Sequence, residues 1–296
     1  MPDSAQLAAL SAIHRHGAFD RAAAALHVTP SAISQRIRAL EEALGTPVLH
    51  RGPPACATEA GLRLIRHHDE IALLERELAQ DLPGLVAAPA RLRLAVNADS
   101  LATWVLPALA ATPGFLFDLV IDDQDVSQDW LRRGVVSAAI TGHMGPVQGC
   151  DTLELGALRY RATASPDFTA RWFAQGVTAE TLALAPALNY SEKDRLQERW
   201  VARQTIGARQ PVTLPSHRLA STQGFVEACL LGLGWGLNPE PLVKQAVAEG
   251  RLVEIAPDSA LDVPLFWQFT RLAAPALRDL TAAIRAQAAQ VLVPPR

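Results

Sequence analysis

Two groups of side chains in this 296-residue chain have the types and spacing to do chemistry. The first is Ser31, Ser34, Gln35 and Arg38, whose spacing puts them on one side of a helix. Serine, glutamine and arginine offer the donors and acceptors that match base edges in a major groove. The same pattern also suits a solvated amphipathic helix. The opposite side carries Ile33, Ile37, Leu40 and Leu44, a core stripe. The second group is acidic and hydroxylic. Asp99, Ser100 and Thr103 follow one apolar alternation, Asp122 and Asp123 end a second, and Thr141 ends a third. Ser221 and Thr222 open a later helix, and Asn189-Tyr190 ends another strand-like run. Ser100 and Thr103, with free N–H groups at a helix start, suit a carboxylate. Asp99, Asp122 or Asp123 suits an ammonium or guanidinium, and the residues themselves leave open which one. Asp122 and Asp123 read equally well as a solvated turn or the N-cap of the next helix.

These groups need elements to hold them. Ala5–His16 predicts a helix stopped at Gly17, and Asp20–His27 a short alanine-rich one with Asp20 at its N-cap. Thr29-Pro30 is a strong start signal, threonine capping and proline at the first helical position. That helix runs to Leu44 and ends at Gly45. The turn Leu26–Thr29 is short enough for a helix-turn-helix. A hairpin-like segment, Pro47–Thr58, follows, and then a helix from Glu59 to about Leu82. Its twenty-four residues span ~36 Å, close to one DNA turn of ~34 Å. Ile71, Leu74, Leu78 and Leu82 form a stripe along it, for packing within the chain or against a second copy. Pro83-Gly84 breaks the helix, and Leu85–Ala90 reads as a linker.

After Ala90 strands alternate with helices. Arg91–Val96, Phe115–Ile121 and Val135–Ile140 read as strands, and Trp104–Ala111 and Val126–Arg133 as helices. This is a βαβαβ unit with a parallel sheet. A second set has a strand at Ala185–Asn189, a helix from Ser191, a strand near Pro211–Leu214 and a helix at Thr222–Leu231. Leu265–Thr270 is a late strand and Ala274–Val291 a final helix, by which the chain returns to the first lobe. In open α/β sheets ligands lie at the carboxyl ends of strands, which is where the acids and hydroxyls fall.

Composition narrows the classes. Hydrophobic residues make up 49% and charged residues 19%, enough for packed cores. Net charge is −3, so any nucleic-acid surface must be local. Of 27 basic residues only Lys193 and Lys244 are lysines. Cys56, Cys150 and Cys229 are odd in number and far apart, which argues against a disulfide framework and for a reducing compartment. The start, Met1-Pro2-Asp3-Ser4, has no basic region with an apolar core, and no apolar run reaches the ~18 residues of a membrane helix. A cytoplasmic protein without membrane contact is expected. Six of eight histidines fall within the first 68 residues, but their scatter over different helices favours surface or half-buried side chains over a metal site. Gly232, Gly234 and Gly236 follow a helix rather than open one, so they fit turns before a strand and not a dinucleotide fingerprint. The chain carries no GxSxG, P-loop, HExxH or CxxC, and no enzyme is expected. A solute-binding protein would share two lobes but would lack the first 82 residues.

The segment FDRAAAALHVTPSAISQRIRALEEALGTPVLHR, Phe19–Arg51, resembles the signature of LysR-type transcriptional regulators, and TEAGLRL, Thr58–Leu64, is similar to the start of that family's linker helix. The resemblance implies an N-terminal all-α winged helix-turn-helix plus an α/β two-lobed, periplasmic-binding-protein-like effector domain. It implies Ser31, Ser34, Gln35, Arg36 and Arg38 at the DNA and Arg51 on the wing near phosphate. Thr29 at the N-cap and His50 beside Arg51 complete the candidate set. Pro30 departs from the pattern, because the family usually carries glutamine there, and base readout then rests more on Ser34 and Gln35. Leu219–Val243 resembles the family's second-lobe segment. LAVNADSLATWVLPAL, Leu94–Leu109, is similar to the ArgP/LysG branch, regulators of basic amino-acid export. The resemblance therefore implies lysine or arginine as effector, no cofactor, a double-stranded DNA operator, self-association as homodimer or tetramer through Ile71, Leu74, Leu78 and Leu82, and RNA polymerase as a further partner. Expected domains are 1–58 for DNA, 59–90 for the linker helix and hinge, and 91–296 for the effector, with lobes at about 91–162 with 269–296 and at 163–268. A LysR-type regulator of a different effector, or a nucleoid- or replication-associated DNA binder, is the alternative.

Overall fold

The computed structural model describes residues 1–82, 88–122, 127–206 and 211–294, in two compact units. Asp123, Val126 and the expected break at Pro83-Gly84 with residues 85–87 of the linker lie outside the described residues.

The first unit, Met1–Leu92 with Gly114–Leu116, starts with α1 (Ser4–His16), α2 (Phe19–Ala25) and α3 (Pro30–Leu44). Asp3 caps α1 in a reciprocal box with Gln6, and Gly17 ends it at φ 69°, where a side chain would be strained. The N-cap of α2 is Ala18, not Asp20, which sits inside the first turn; there its carboxylate faces the helix dipole without capping. Thr29 caps α3 by accepting from Ala32 N, with Pro30 in the first turn. Ile33, Ile37 and Leu40 are fully buried against Leu10, Ile13 and Val48. Leu44 is not part of this core but exposed, because α3 ends there and its last turn leaves the other helices. Strands β1 (Leu49–His50) and β2 (Cys56–Ala57) pair antiparallel as a small wing. Thr58 donates to Pro47 O at 2.9 Å and accepts from Gly61 N, so one hydroxyl ties the wing to the start of α4 (Glu59–Asp81). Along α4, Leu73 is buried, but Leu74, Leu78 and Leu82 are 44%, 53% and 47% exposed.

The second unit is built on one sheet. Its elements are β3 (Ala90–Val96), α5 (Ala98–Ser100), a π-helical turn (Leu101–Val105), α6 (Leu106–Ala110), β4 (Phe115–Ile121), α7 (Ser127–Arg132) and β5 (Ala138–Thr141). Next come β6 (Cys150–Ala164), α8 (Pro166–Trp172), α9 (Ala179–Leu184), β7 (Ala187–Asn189), α10 (Leu196–Gln204), β8 (Ser216–Arg218) and α11 (Thr222–Leu230). The chain closes with β9 (Gly236–Pro239), α12 (Glu240–Ala248), β10 (Val253–Glu254), β11 (Leu261–Thr270) and α13 (Arg278–Val291). The strand order is β10-β6-β11-β5-β3-β4, with β9 on β6, and β7 pairs β8 beside it. β3 and β5 are parallel, as the βαβ pattern predicts, and β11 returns antiparallel to β5.

Strands β6 and β11 run through both lobes. Phe266–Thr270 pairs with β5 and with the start of β6, while Leu261–Leu265 pairs with Gly156–Tyr160, and the register shifts between Leu265 and Phe266. The expected lobe boundaries near 162 and 268 fall inside these strands. β6 is absent from the sequence expectation although Leu158, Tyr160 and Ala162 alternate with Arg159 and Arg161 as a half-buried strand requires; the signal was present but short, since Gly156 separates it from the residues before. β11 begins four residues before the predicted start; Pro264 within it argues against a strand in sequence terms. The strand expected at Pro211–Leu214 is instead β8, whose residues are all exposed and so carry no alternation. The helix expected from Ser191 starts at Leu196, and the one expected from Ala274 starts at Arg278, after a turn containing Pro275. The helical run expected from Trp104 begins at Ala98. α13 covers the first lobe, where Trp267 Nε1 donates to Thr281 Oγ1 at 3.0 Å. No helix among the described residues is long and apolar enough to cross a membrane.

Candidate functional site

On α3, Ser31, Ser34, Gln35 and Arg38 are all exposed while Ile33, Ile37 and Leu40 are buried, so the polar stripe is free to meet a groove. Arg36 lies half-buried beside it. The Thr29 hydroxyl is occupied at the cap and within 3.0 Å of Ser31 Oγ, which leaves it a positioning role. His50 and Arg51 are exposed on the wing. Arg51 Nη2 donates to Glu41 Oε2 at 2.7 Å, and the other oxygen of Glu41 accepts from Val48 N at 3.0 Å. Glu41, to which the sequence analysis gave no role, therefore fixes the wing arginine relative to α3. Among the described residues no group of three His, Cys, Asp or Glu side chains is placed to hold a metal; His14 Nδ1 instead accepts from Ala57 N.

The second unit contains a cleft of about 380 Å3, within the usual range of small-molecule sites. One wall comes from the ends of β3 and β4: Asn97, Asp99 and Asp122. The other comes from the second lobe: Tyr190 to Asp194, Gln197, Thr222 and Asn238. Of the expected site residues the structure brings Asp99, Asp122 and Thr222 together on this cleft. Ser100 is fully buried behind it with its Oγ unpaired, and Thr103 donates to Asp99 O at 2.6 Å inside the π-helical region. Thr141 is buried and donates to His143 O. Ser221 spends its oxygen on Gly224 N as the N-cap of α11. Ser100, Thr103, Thr141 and Ser221 do not line the cleft: helix and strand geometry turns three of the hydroxyls to backbone partners and buries the fourth. Asp123 lies outside the described residues.

Asp99 is the centre of this wall. Its Oδ2 accepts from Tyr160 OH at 2.8 Å and its Oδ1 from Thr222 Oγ1 at 2.9 Å. Burial pushes its carboxyl above the usual carboxylate range; the two hydroxyl bonds oppose that, and the Asp194 charge adds to it. Asp194 is 7% exposed and is raised by burial as well, although Tyr190 N and Leu196 N donate to its two oxygens, each at 2.9 Å. Asp122 accepts from Trp130 Nε1 at 3.0 Å and has Lys193 Nζ at 3.7 Å. Gln197 and Asn238 border the same cleft, but their Oε1 and Oδ1 atoms are themselves buried and have no protein donor. Three aspartates line the cleft against one lysine, with Glu192 also at the lining and engaged by Arg218, so the wall is acidic and suits a positively charged group. Asp194, Tyr160 and Asn238 were missed from sequence. Tyr160 sits on the unread β6, and Asp194 four residues past Asn189-Tyr190, inside what looked like a helix.

Residues 4–62 match the family described as bacterial regulatory helix-turn-helix protein, lysR family, and residues 87–289 match the LysR substrate binding domain. The chain is 44% identical over 292 residues to the HTH-type transcriptional regulator ArgP of Pseudomonas aeruginosa, covering 97% of this chain and 96% of that one. It is similar to the crystal structure of ArgP from Mycobacterium tuberculosis, with a TM-score of 0.79, 40% identity and 98% of each chain covered. It is also similar to full-length LysG from Corynebacterium glutamicum with bound effector Arg, with a TM-score of 0.67, 35% identity, and 99% of this chain and 100% of that one covered.

The buried, cation-free setting of Asp99 has a measurable consequence. A carboxyl raised in the folded state binds protons more tightly there than in the unfolded chain, so stability falls as pH rises from the ordinary carboxylate value through the raised one. Asp99→Asn should flatten that part of the Tm-against-pH curve and raise Tm at neutral pH in ligand-free protein. A variant with an unchanged curve would show that the Asp99 carboxyl is not raised by its surroundings.

Proposed function

The chain belongs to the LysR family of bacterial regulatory helix-turn-helix proteins, and from that premise we propose that it is a transcriptional regulator whose response is set by lysine or arginine bound between the two lobes of its second unit. The observation that carries the ligand class is the charge of the cleft: Asp99, Asp122 and Asp194 line it, and half-buried Asp99 and buried Asp194 have no cationic partner within hydrogen-bonding distance among the described residues. An ammonium or guanidinium entering there replaces the water lost by those carboxylates, whereas a neutral or acidic ligand leaves them uncompensated. The likeness to a LysG that carries arginine supports the same class.

The functional division follows: residues 1–58 bind the operator, 59–90 link and dimerise, and 91–296 sense. Ser31, Ser34, Gln35 and Arg38, with Arg36 alongside, read the major groove, and His50 and Arg51 meet phosphate from the wing. The stripe of half-buried Ile71 with exposed Leu74, Leu78 and Leu82 is covered by the same helix of a second copy; α4 has 23 residues, about one DNA turn in length. Ligand occupancy changes transcription through a difference in affinity between two arrangements of the protein.

Calorimetric titration tests the ligand class: L-arginine and L-lysine should bind wild type, and Asp99→Asn should weaken both by about tenfold or more, as loss of a buried counter-charge demands. Silence at millimolar arginine and lysine, with heat from another metabolite, sinks the basic amino-acid assignment and leaves the family membership untouched. On operator DNA, Gln35→Ala should cost ~1–3 kcal/mol at one base position, and Arg51→Ala should weaken all sequences alike with a shallower salt slope. Wild-type affinity in both variants would mean that α3 and the wing do not face the duplex as assigned. Leu74→Asp with Leu78→Asp should lower the sedimenting mass by disrupting the stripe; an unchanged oligomer would remove α4 from the interface.

A further inference from the structure

Among the described residues that line the cleft, Lys193 is the single cationic side chain, and it is one of two lysines in a chain whose other basic residues are all arginine. Its backbone is fixed. Lys193 N donates to Ser191 Oγ at 3.1 Å, and the Asp194 carboxylate next to it clamps the turn through Tyr190 N and Leu196 N. Its side chain is free to move: it is 64% exposed, at the mouth, on a four-carbon stem. From there Nζ reaches to 3.7 Å of Asp122 Oδ1 on the opposite lobe. Asp122 itself is held in place by Trp130 Nε1 at 3.0 Å and by its own N–H to Val96 O at 3.4 Å. A rigid acid thus faces a mobile base across the entrance.

We propose that Lys193 is a built-in competitor of the effector, an intramolecular ammonium that holds Asp122 until the ligand's own cation displaces it. The proposal rests on the reading of the cleft as a basic amino-acid site. The ε-ammonium is the group that free lysine would bring to the same carboxylate. Two cations cannot share Asp122 without mutual repulsion, so ligand entry expels Lys193 to solvent, where its exposure allows it to go. The alternative, in which Lys193 receives the ligand's carboxylate, conflicts with its position: a carboxylate at Nζ would lie against Asp122, a like charge. An internal competitor has a fixed effective concentration, so it sets a threshold that free amino acid must exceed before the lobes exchange one cation for another. Lys193 is therefore a specificity and sensitivity residue, not a contact that contributes affinity.

The test is a double-mutant cycle read by calorimetry with L-arginine and L-lysine. Lys193→Met and Lys193→Gln should both tighten binding by about two- to five-fold, the size expected for an exposed ion pair. The gain should shrink as salt rises. It should vanish on an Asp122→Asn background, where there is no carboxylate to compete for. Weaker arginine binding in either Lys193 variant, or affinities equal to wild type, overturns the proposal. A gain that persists beside Asp122→Asn overturns it too, since Lys193 would then act on another acid. If wild type binds neither amino acid, the reading of the cleft fails first and the proposal falls with it, which separates the two failures.

Discussion

The Asp99 carboxylate holds three parts of the second unit in one place. It sits at the end of β3, accepts from Tyr160 on β6 and accepts from Thr222 at the start of α11. One oxygen is thus bound to a strand common to both lobes and the other to the second lobe alone. Buried carboxylates are costly, and this one persists because each oxygen has a hydroxyl donor. The arrangement leaves the charge itself uncompensated. The site is consequently incomplete in electrostatic terms.

The same physics explains why the rest of the cleft looks uneconomical as a core. Asp194 gives both oxygens to backbone N–H groups and still lies raised above its ordinary range. Burial also raises the Tyr190 hydroxyl, with the Asp99 charge adding to it. Gln197 and Asn238 leave carbonyl oxygens unsatisfied. A fold selected for stability alone would fill these positions with aliphatics; keeping them polar trades stability for recognition. The N-terminal unit shows the opposite economy. Its fully buried aliphatic centre is matched to an exposed polar face, and Glu41 and Thr58 bind the wing to α3 and α4 with ordinary hydrogen bonds. Little of its polar chemistry is buried, so little of it had to be found by tertiary structure.

That contrast governs what could be read from residues. The helix-turn-helix was legible because its signals are local: Thr29-Pro30 and Gly45 bound α3, and Ile33, Ile37 and Leu40 repeat at helical spacing. The βαβ start of the second unit was legible for the same reason, as was the acidic mouth formed by Asp99 and Asp122. The failures are equally specific. Leu44 has helical spacing but lies beyond the helices it would pack on. Asp20 has a capping side chain but the wrong backbone position. β6 carries the alternation of a strand only over Leu158–Ala162, and a glycine at φ 116° cuts it off from the first half, so its full length was not readable.

The sequence by itself determined the two-part architecture, the helix α3 and its exposed polar face, the exposed leucine stripe of α4 and the presence of acids after strands, since each is encoded within a turn or two of chain. Tertiary structure decided which of those acids meet. Tyr160 and Thr222 reach Asp99 from 61 and 123 residues away, and Asp194 enters the cleft because its carboxylate caps its own turn and stops α10 from starting at Ser191. It also removed Ser100, Thr103, Thr141 and Ser221 from the cleft, because a hydroxyl near a helix or strand end finds a backbone partner, or is buried, before it finds a ligand. Spacing along the chain fixes which face a residue shares, but only the packing of distant strands fixes what that face looks at.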